Sequence, residues 1–118
     1  MQNDKTIETK KMKSRLDLLP PNATFLVGQV FAFGAQKHEP WGWSRGQFTS
    51  EDYRAALLRH SFQAGGEQAD KESGLPHLAH AAASALIALE LAIMDAKLFA
   101  QKAQDTAKVV PLKPAEPA

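Results

Sequence analysis

His77 and His80 stand three residues apart in "SGLPHLAH", and the acid-bearing stretch "GGEQADKESG" leads directly into them. Imidazole titrates near physiological pH and is the commonest nitrogen donor to metals. Glu67, Asp70 and Glu72 add carboxylates just upstream, and His60 closes the preceding helical segment behind Arg59. If the segments flanking this glycine-bounded loop fold as an antiparallel helical hairpin, His60 meets His77 and His80 at one end. The loop acids then converge on the same place. Three imidazoles with two or three carboxylates make a shell for a divalent ion: imidazole favours Mn, Fe, Co, Ni or Zn, and carboxylate favours Mg or Mn. A His-x-x-His pair is weak alone, and the plain alternative is two first-turn histidines hydrogen-bonded to backbone carbonyls.

A second group of residues lies in "KHEPWGWSRG", which carries both tryptophans in a Pro- and Gly-rich loop. Trp41 and Trp43 either cap the core or offer an aromatic platform for a nucleobase. Lys37, Arg45 and Arg59 are then candidates for phosphate oxygens, Arg being suited to bidentate contact. No P-loop, GxSxG, GxGxxG or HExxH pattern occurs.

Three helices are predicted to position these residues. After a turn at Pro20-Pro21, Phe25, Leu26, Val30 and Phe33 recur near a 3.6-residue period, with Gly34 placed to end the helix. The Val and Phe content there would also suit a strand. "TSEDYRAALLRHSFQAGG" opens with Thr49 or Ser50 as cap and two acids in the first turn. It carries Tyr53, Leu57, His60 and Ala64 on one stripe and stops at Gly65-Gly66. Ser73 is placed to cap the last helix, and Pro76 fits its first turn. That helix is expected from Pro76 to about Ala103, apolar on nearly every side as far as Met94 and hence central and buried. At 100° per residue, His77, His80 and Ser84 share one of its faces.

The fold class expected is therefore all-α: a small bundle of three main helices over residues 14–103. A basic tail (1–13) and a Pro/Ala-rich tail (104–118) are expected to be disordered, because neither holds enough apolar surface to offset ordering entropy. So small a core would gain from dimerisation. With 14 Lys+Arg against 13 Asp+Glu the net charge is +1, which gives no footprint for a nucleic-acid polymer. There is no cysteine, which excludes disulfides and thiolate metal sites. Ser84 and Glu90 interrupt the longest apolar run, which makes it a poor membrane span. A soluble intracellular protein is expected.

The ordered blocks "SRLDLLPP", "FAFGAQKHEPWGW" and "YRAALLRHSFQAGGEQADKESGLPHLAHAAASALIALE" resemble the dATP/dGTP diphosphohydrolase N-terminal domain family from Ser14 to Glu90. The resemblance implies an α-helical domain related to the MazG-like nucleoside triphosphate pyrophosphatases. It further implies a phage- or prophage-type protein of the host cytoplasm, pairing into a dimer, and a purine deoxynucleoside triphosphate cleaved to monophosphate and pyrophosphate. Carried over by position, Lys37, Trp43 and Arg59 bind substrate, and His60, Glu67 and Asp70 are catalytic. Glu67, Asp70, His77 and His80 hold a divalent metal, Mg²⁺ or Mn²⁺ with another transition ion as an option. Three departures stand out: His38 replaces the usual Tyr, Gly42 stands where Asn precedes Trp, and Ser84 holds a position often Asn. MazG-like enzymes hold Mg²⁺ through helical acids, whereas the helical positions here are histidines. The alternative is a non-enzymatic nucleotide-binding or accessory module with a structural His/acid centre.

Overall fold

The computed structural model describes residues 13–109, with side chains described as far as residue 105. The expected tails, 1–13 and 104–118, lie largely outside that range. Three α-helices account for most of it: α1 (Pro21–Lys37), α2 (Ser50–Gln63) and α3 (His77–Val109). Short 3-10 turns at Leu16–Leu18 and Gly42–Ser44 punctuate the connections, and the described residues form no strand beyond the isolated bridge between Ala69 and Pro76.

Each helix begins where local chemistry permits. Pro21 opens α1, where its missing N–H costs nothing. At α2, Thr49 accepts from the Asp52 N–H while the Asp52 carboxylate accepts from the Thr49 N–H, a complete capping box. Gly34 lies inside α1 and does not end it: Ala35, Gln36 and Lys37 are good helix formers, and the His38 N–H closes on the Gly34 carbonyl at 2.9 Å. The chain leaves the helix only as it approaches Pro40, whose ring disfavours helical geometry in the residue before it. Likewise α3 passes its expected end at Ala103 and continues to Val109. Gln101 donates to Asp105 at 3.0 Å across one turn, and the first residue that cannot propagate the helix is Pro111.

The helix α3 packs against both α1 and α2, most extensively against α2. All the buried side chains among the described residues belong to α3: Ala79, Ala81, Ala83, Ile87 and Leu91, with polar His77 and Ser84. The expectation of burial on nearly every side therefore holds for one face only. Leu78, Leu86 and Leu89 are 66%, 53% and 59% exposed, because two shorter helices cannot surround a 33-residue one. Over His77–Asp105 this helix is also long and apolar enough, at mean hydropathy 1.6, to cross a membrane by length and composition.

Candidate metal centre

The expected hairpin forms, and its loop end carries the histidines. On α2, Tyr53, Leu57 and His60 lie on the half-buried side, and Ala64, which caps the helix, is half-buried too. The return loop is tied by backbone pairing. Asp70 N–H donates to the Leu75 carbonyl, Gly74 N–H to the Asp70 carbonyl, and His77 N–H to the Gln68 carbonyl. Gly74 makes the loop possible, since its φ of +73° lies where a Cβ is unfavourable. The Asp70 carboxylate folds back to accept the N–H groups of Glu72 (3.1 Å) and Ser73 (2.9 Å). Ser73 does not cap α3, as its sequence position suggested. The Pro76 carbonyl receives the first helical bonds, and the Ser73 hydroxyl instead lies 2.7 Å from Nε2 of His80.

Within this frame His77 is 1% exposed, and both its ring nitrogens are engaged. Its Nε2 lies 3.1 Å from Glu67 Oε1 and its Nδ1 lies 3.0 Å from Nδ1 of His60. His60 stacks on His80 with ring centroids 4.8 Å apart, and Phe33 meets the His80 ring edge-on. Donor atoms of His60, Asp70 and His77 all lie within 4.8 Å of one another, a grouping able to hold a metal ion. Glu67 and His80, expected as ligands too, stand beside that group, engaged with His77 and Ser73 respectively; His80 Nε2 is 4.0 Å from Asp70 Oδ2.

Environment sets the charge states. Burial, reinforced by the imidazoles of His80 and His77, holds His60 below the ordinary imidazole range. Burial also lowers His80, against the opposing pull of Asp70. The Ser73 backbone N–H donates to Asp70 and keeps its carboxyl below the usual carboxylate range. Near pH 7 His60 and His80 are thus uncharged and Asp70 is ionised.

His60, Asp70 and His80 line a cavity of about 540 Å³, within the size range of small-molecule sites. Its walls include Lys37, Trp43 and Tyr53. Lys37 Nζ lies 2.8 Å from Glu72 Oε1, so the cation expected to bind phosphate is joined to the acidic loop across the chain. Trp41 and Trp43 approach with centroids 5.6 Å apart, and Trp41 adopts a φ of +64°. Arg45 lines the cavity and pairs loosely with Glu39. Arg59 is exposed on α2 and is not among the lining residues. Tyr53 was read only as part of a helical stripe. Its place in the cavity depends on how α2 crosses α3, which no local pattern records.

Fold and centre together define an all-α domain with a His/Asp cluster at the loop end of a helical hairpin, facing an aromatic and cationic cavity. The chain belongs to the dATP/dGTP diphosphohydrolase, N-terminal, family, which it matches over residues 3–102. The family name points to a hydrolase acting on nucleotides. No curated protein matches the chain. No solved structure matches it either.

Proposed function

We propose that this chain hydrolyses the α–β phosphoanhydride of a purine deoxynucleoside triphosphate, releasing monophosphate and pyrophosphate with the help of a divalent ion. The observation that carries this proposal is the convergence of His60, Asp70 and His77 beside a cavity walled by Lys37 and Trp43. The donor set fits an ion: two imidazole nitrogens face each other at 3.0 Å, next to a carboxylate that backbone N–H groups keep ionised. A bound ion would supply charge neutralisation and Lewis acidity at the phosphates.

The rest falls to the chain's own groups. Lys37 exchanges its contact with Glu72 for a phosphate oxygen, and Arg45 is better placed than Arg59 to assist. Trp43 stacks on the base. Water attacks the α-phosphorus, the bond to the bridging oxygen breaks, and pyrophosphate leaves with the electron pair. His80, stacked on His60 and neutral near pH 7, supplies an imidazole to take up the water's proton. A homodimer formed through the exposed apolar face of α3 completes the proposal.

Incubation of the full chain with each dNTP, and with Mg²⁺, Mn²⁺, Co²⁺ or Zn²⁺, is expected to yield monophosphate and pyrophosphate from dATP or dGTP. Asp70→Asn should abolish turnover. Absence of product with every ion would refute the activity. One observation favours a second role, as a non-enzymatic nucleotide-binding or accessory module: both ring nitrogens of buried His77 are already engaged, with Glu67 and His60, as in a structural centre. In that case nucleotide raises the melting temperature by mass action without being consumed.

A further inference from the structure

We infer that the centre is built for an imidazole-favouring first-row divalent ion (Mn²⁺, Fe²⁺, Co²⁺, Ni²⁺ or Zn²⁺) in preference to Mg²⁺, and that Glu67 positions His77 without itself being a ligand. This rests on the metal-dependent activity proposed above and concerns which ion the residues suit.

The argument begins with oxygen donors. Mg²⁺ is hard and takes oxygen ligands, so a Mg²⁺ site needs carboxylates that are free to turn toward it. Three acids surround this centre, and in the nucleotide-free chain two are engaged elsewhere: Glu67 with His77 at 3.1 Å, and Glu72 with Lys37 at 2.8 Å. Asp70 commits Oδ2 to the N–H groups of Glu72 and Ser73, which leaves Oδ1 as its open oxygen.

The nitrogen side is better supplied. A carboxylate can only accept, so Glu67 fixes the His77 proton on Nε2 and leaves Nδ1 as a bare lone pair. That lone pair faces the Nδ1 of His60 at 3.0 Å. Two lone pairs repel at this separation, so the His60 Nδ1 carries the proton of this contact, and both nitrogens can serve an ion once that proton leaves and the rings part. With His77 1% exposed, the hairpin positions its ring before any ion arrives. A metal-ligating histidine usually donates its other N–H to a carboxylate, which fixes the tautomer and raises the basicity of the ligating nitrogen. Glu67 stands in that relation to His77. Two such nitrogens with one carboxylate oxygen match the preference of the later first-row ions.

The test titrates the chelator-stripped full chain with CoCl₂, ZnCl₂, MnCl₂ and MgCl₂ by calorimetry, and follows Co²⁺ by its visible absorption. The expected result is one ion per chain, with Co²⁺ and Zn²⁺ bound at least about 100-fold more tightly than Mg²⁺. His60→Ala should remove Co²⁺ binding while circular dichroism shows an intact helical fold; His60 is half-buried, so this variant avoids the packing loss of a His77 change. Glu67→Gln keeps an acceptor for His77. It should weaken Co²⁺ about 10–100-fold and leave the band positions unchanged, with Glu67→Ala weaker still. Equal affinity for Mg²⁺ and Co²⁺ overturns the ion class. A Co²⁺ spectrum altered by Glu67→Gln makes Glu67 a ligand and overturns its positioning role. If the ions bind as stated but no dNTP is consumed, the activity fails and the centre stands. If His60→Ala still hydrolyses dNTPs with Mg²⁺, the centre fails and the activity stands.

Discussion

Trp43 separates two roles that an aromatic side chain can play in one loop. It lines the cavity at partial exposure and leans on Trp41, so part of its area supports packing and part faces the space assigned to substrate. Base–aromatic stacking contributes roughly 1–3 kcal/mol per base. Trp43→Ala is therefore expected to raise KM for the dNTP by about tenfold, with a smaller change in kcat, while Trp43→Phe retains most of the affinity. Steady-state kinetics with a melting temperature for each variant checks this. Equal KM values with a lowered melting temperature would make Trp43 a packing residue only. Trp41, in a backbone conformation uncommon outside glycine and 67% exposed, belongs to the same loop and is held by the turn around it. Its carbonyl accepts from the Ser44 N–H at 2.9 Å and from the Ser44 hydroxyl at 2.6 Å.

The loop between α2 and α3 is the element that turns a helical hairpin into a site. Its backbone bonds close the chain around Asp70, and Gly74 supplies the left-handed residue that closure requires. A Cβ at Gly74 would meet nothing within 4 Å, so the cost of substitution is conformational and not steric. Gly74→Ala should lower stability by about 1–2 kcal/mol, the penalty for an L-residue in that region. Urea denaturation is the measurement. Because the same turn sets the N–H groups that hold Asp70, metal affinity should fall together with stability. A loss of stability with unchanged affinity would mean that the turn and the centre are independent.

At the scale of the molecule, the long helix is only half covered. Leu86, Leu89, Leu98 and Phe99 are each more than half exposed, and α3 carries this apolar surface along most of its length. A second cavity of about 870 Å³, lined by Trp41, Trp43, Leu86, Leu89 and Ile93, joins that surface to the tryptophan wall of the first. Exposed apolar area of this extent is a mark of an interaction surface. Light scattering is expected to give about twice the chain mass of 12.9 kDa, and Leu89→Glu should shift it toward the single-chain value. A wild-type chain that stays monomeric at high micromolar concentration would remove the dimer from the proposal.

Capping residues, helical periods and the glycine stop at Gly65-Gly66 act within a few residues, and these were legible along the chain: the all-α class, a cap at Thr49 or Ser50, the His60 stripe and the shared face of His77, His80 and Ser84. The hairpin that brings His60 to His77 followed from the short loop between two helices, so the existence of a cluster could be argued before its geometry was known. Two expected ends, at Gly34 and Ala103, fell short because good helix formers carry the chain onward until a proline intervenes. The pairings within the cluster were not legible. That Glu67 takes His77, Glu72 takes Lys37 and Ser73 takes His80 depends on how α1 and α2 cross α3 and on one loop conformation. The half-exposed state of α3 was hidden for the same reason, since apolar composition states what a helix can bury and only packing decides what covers it.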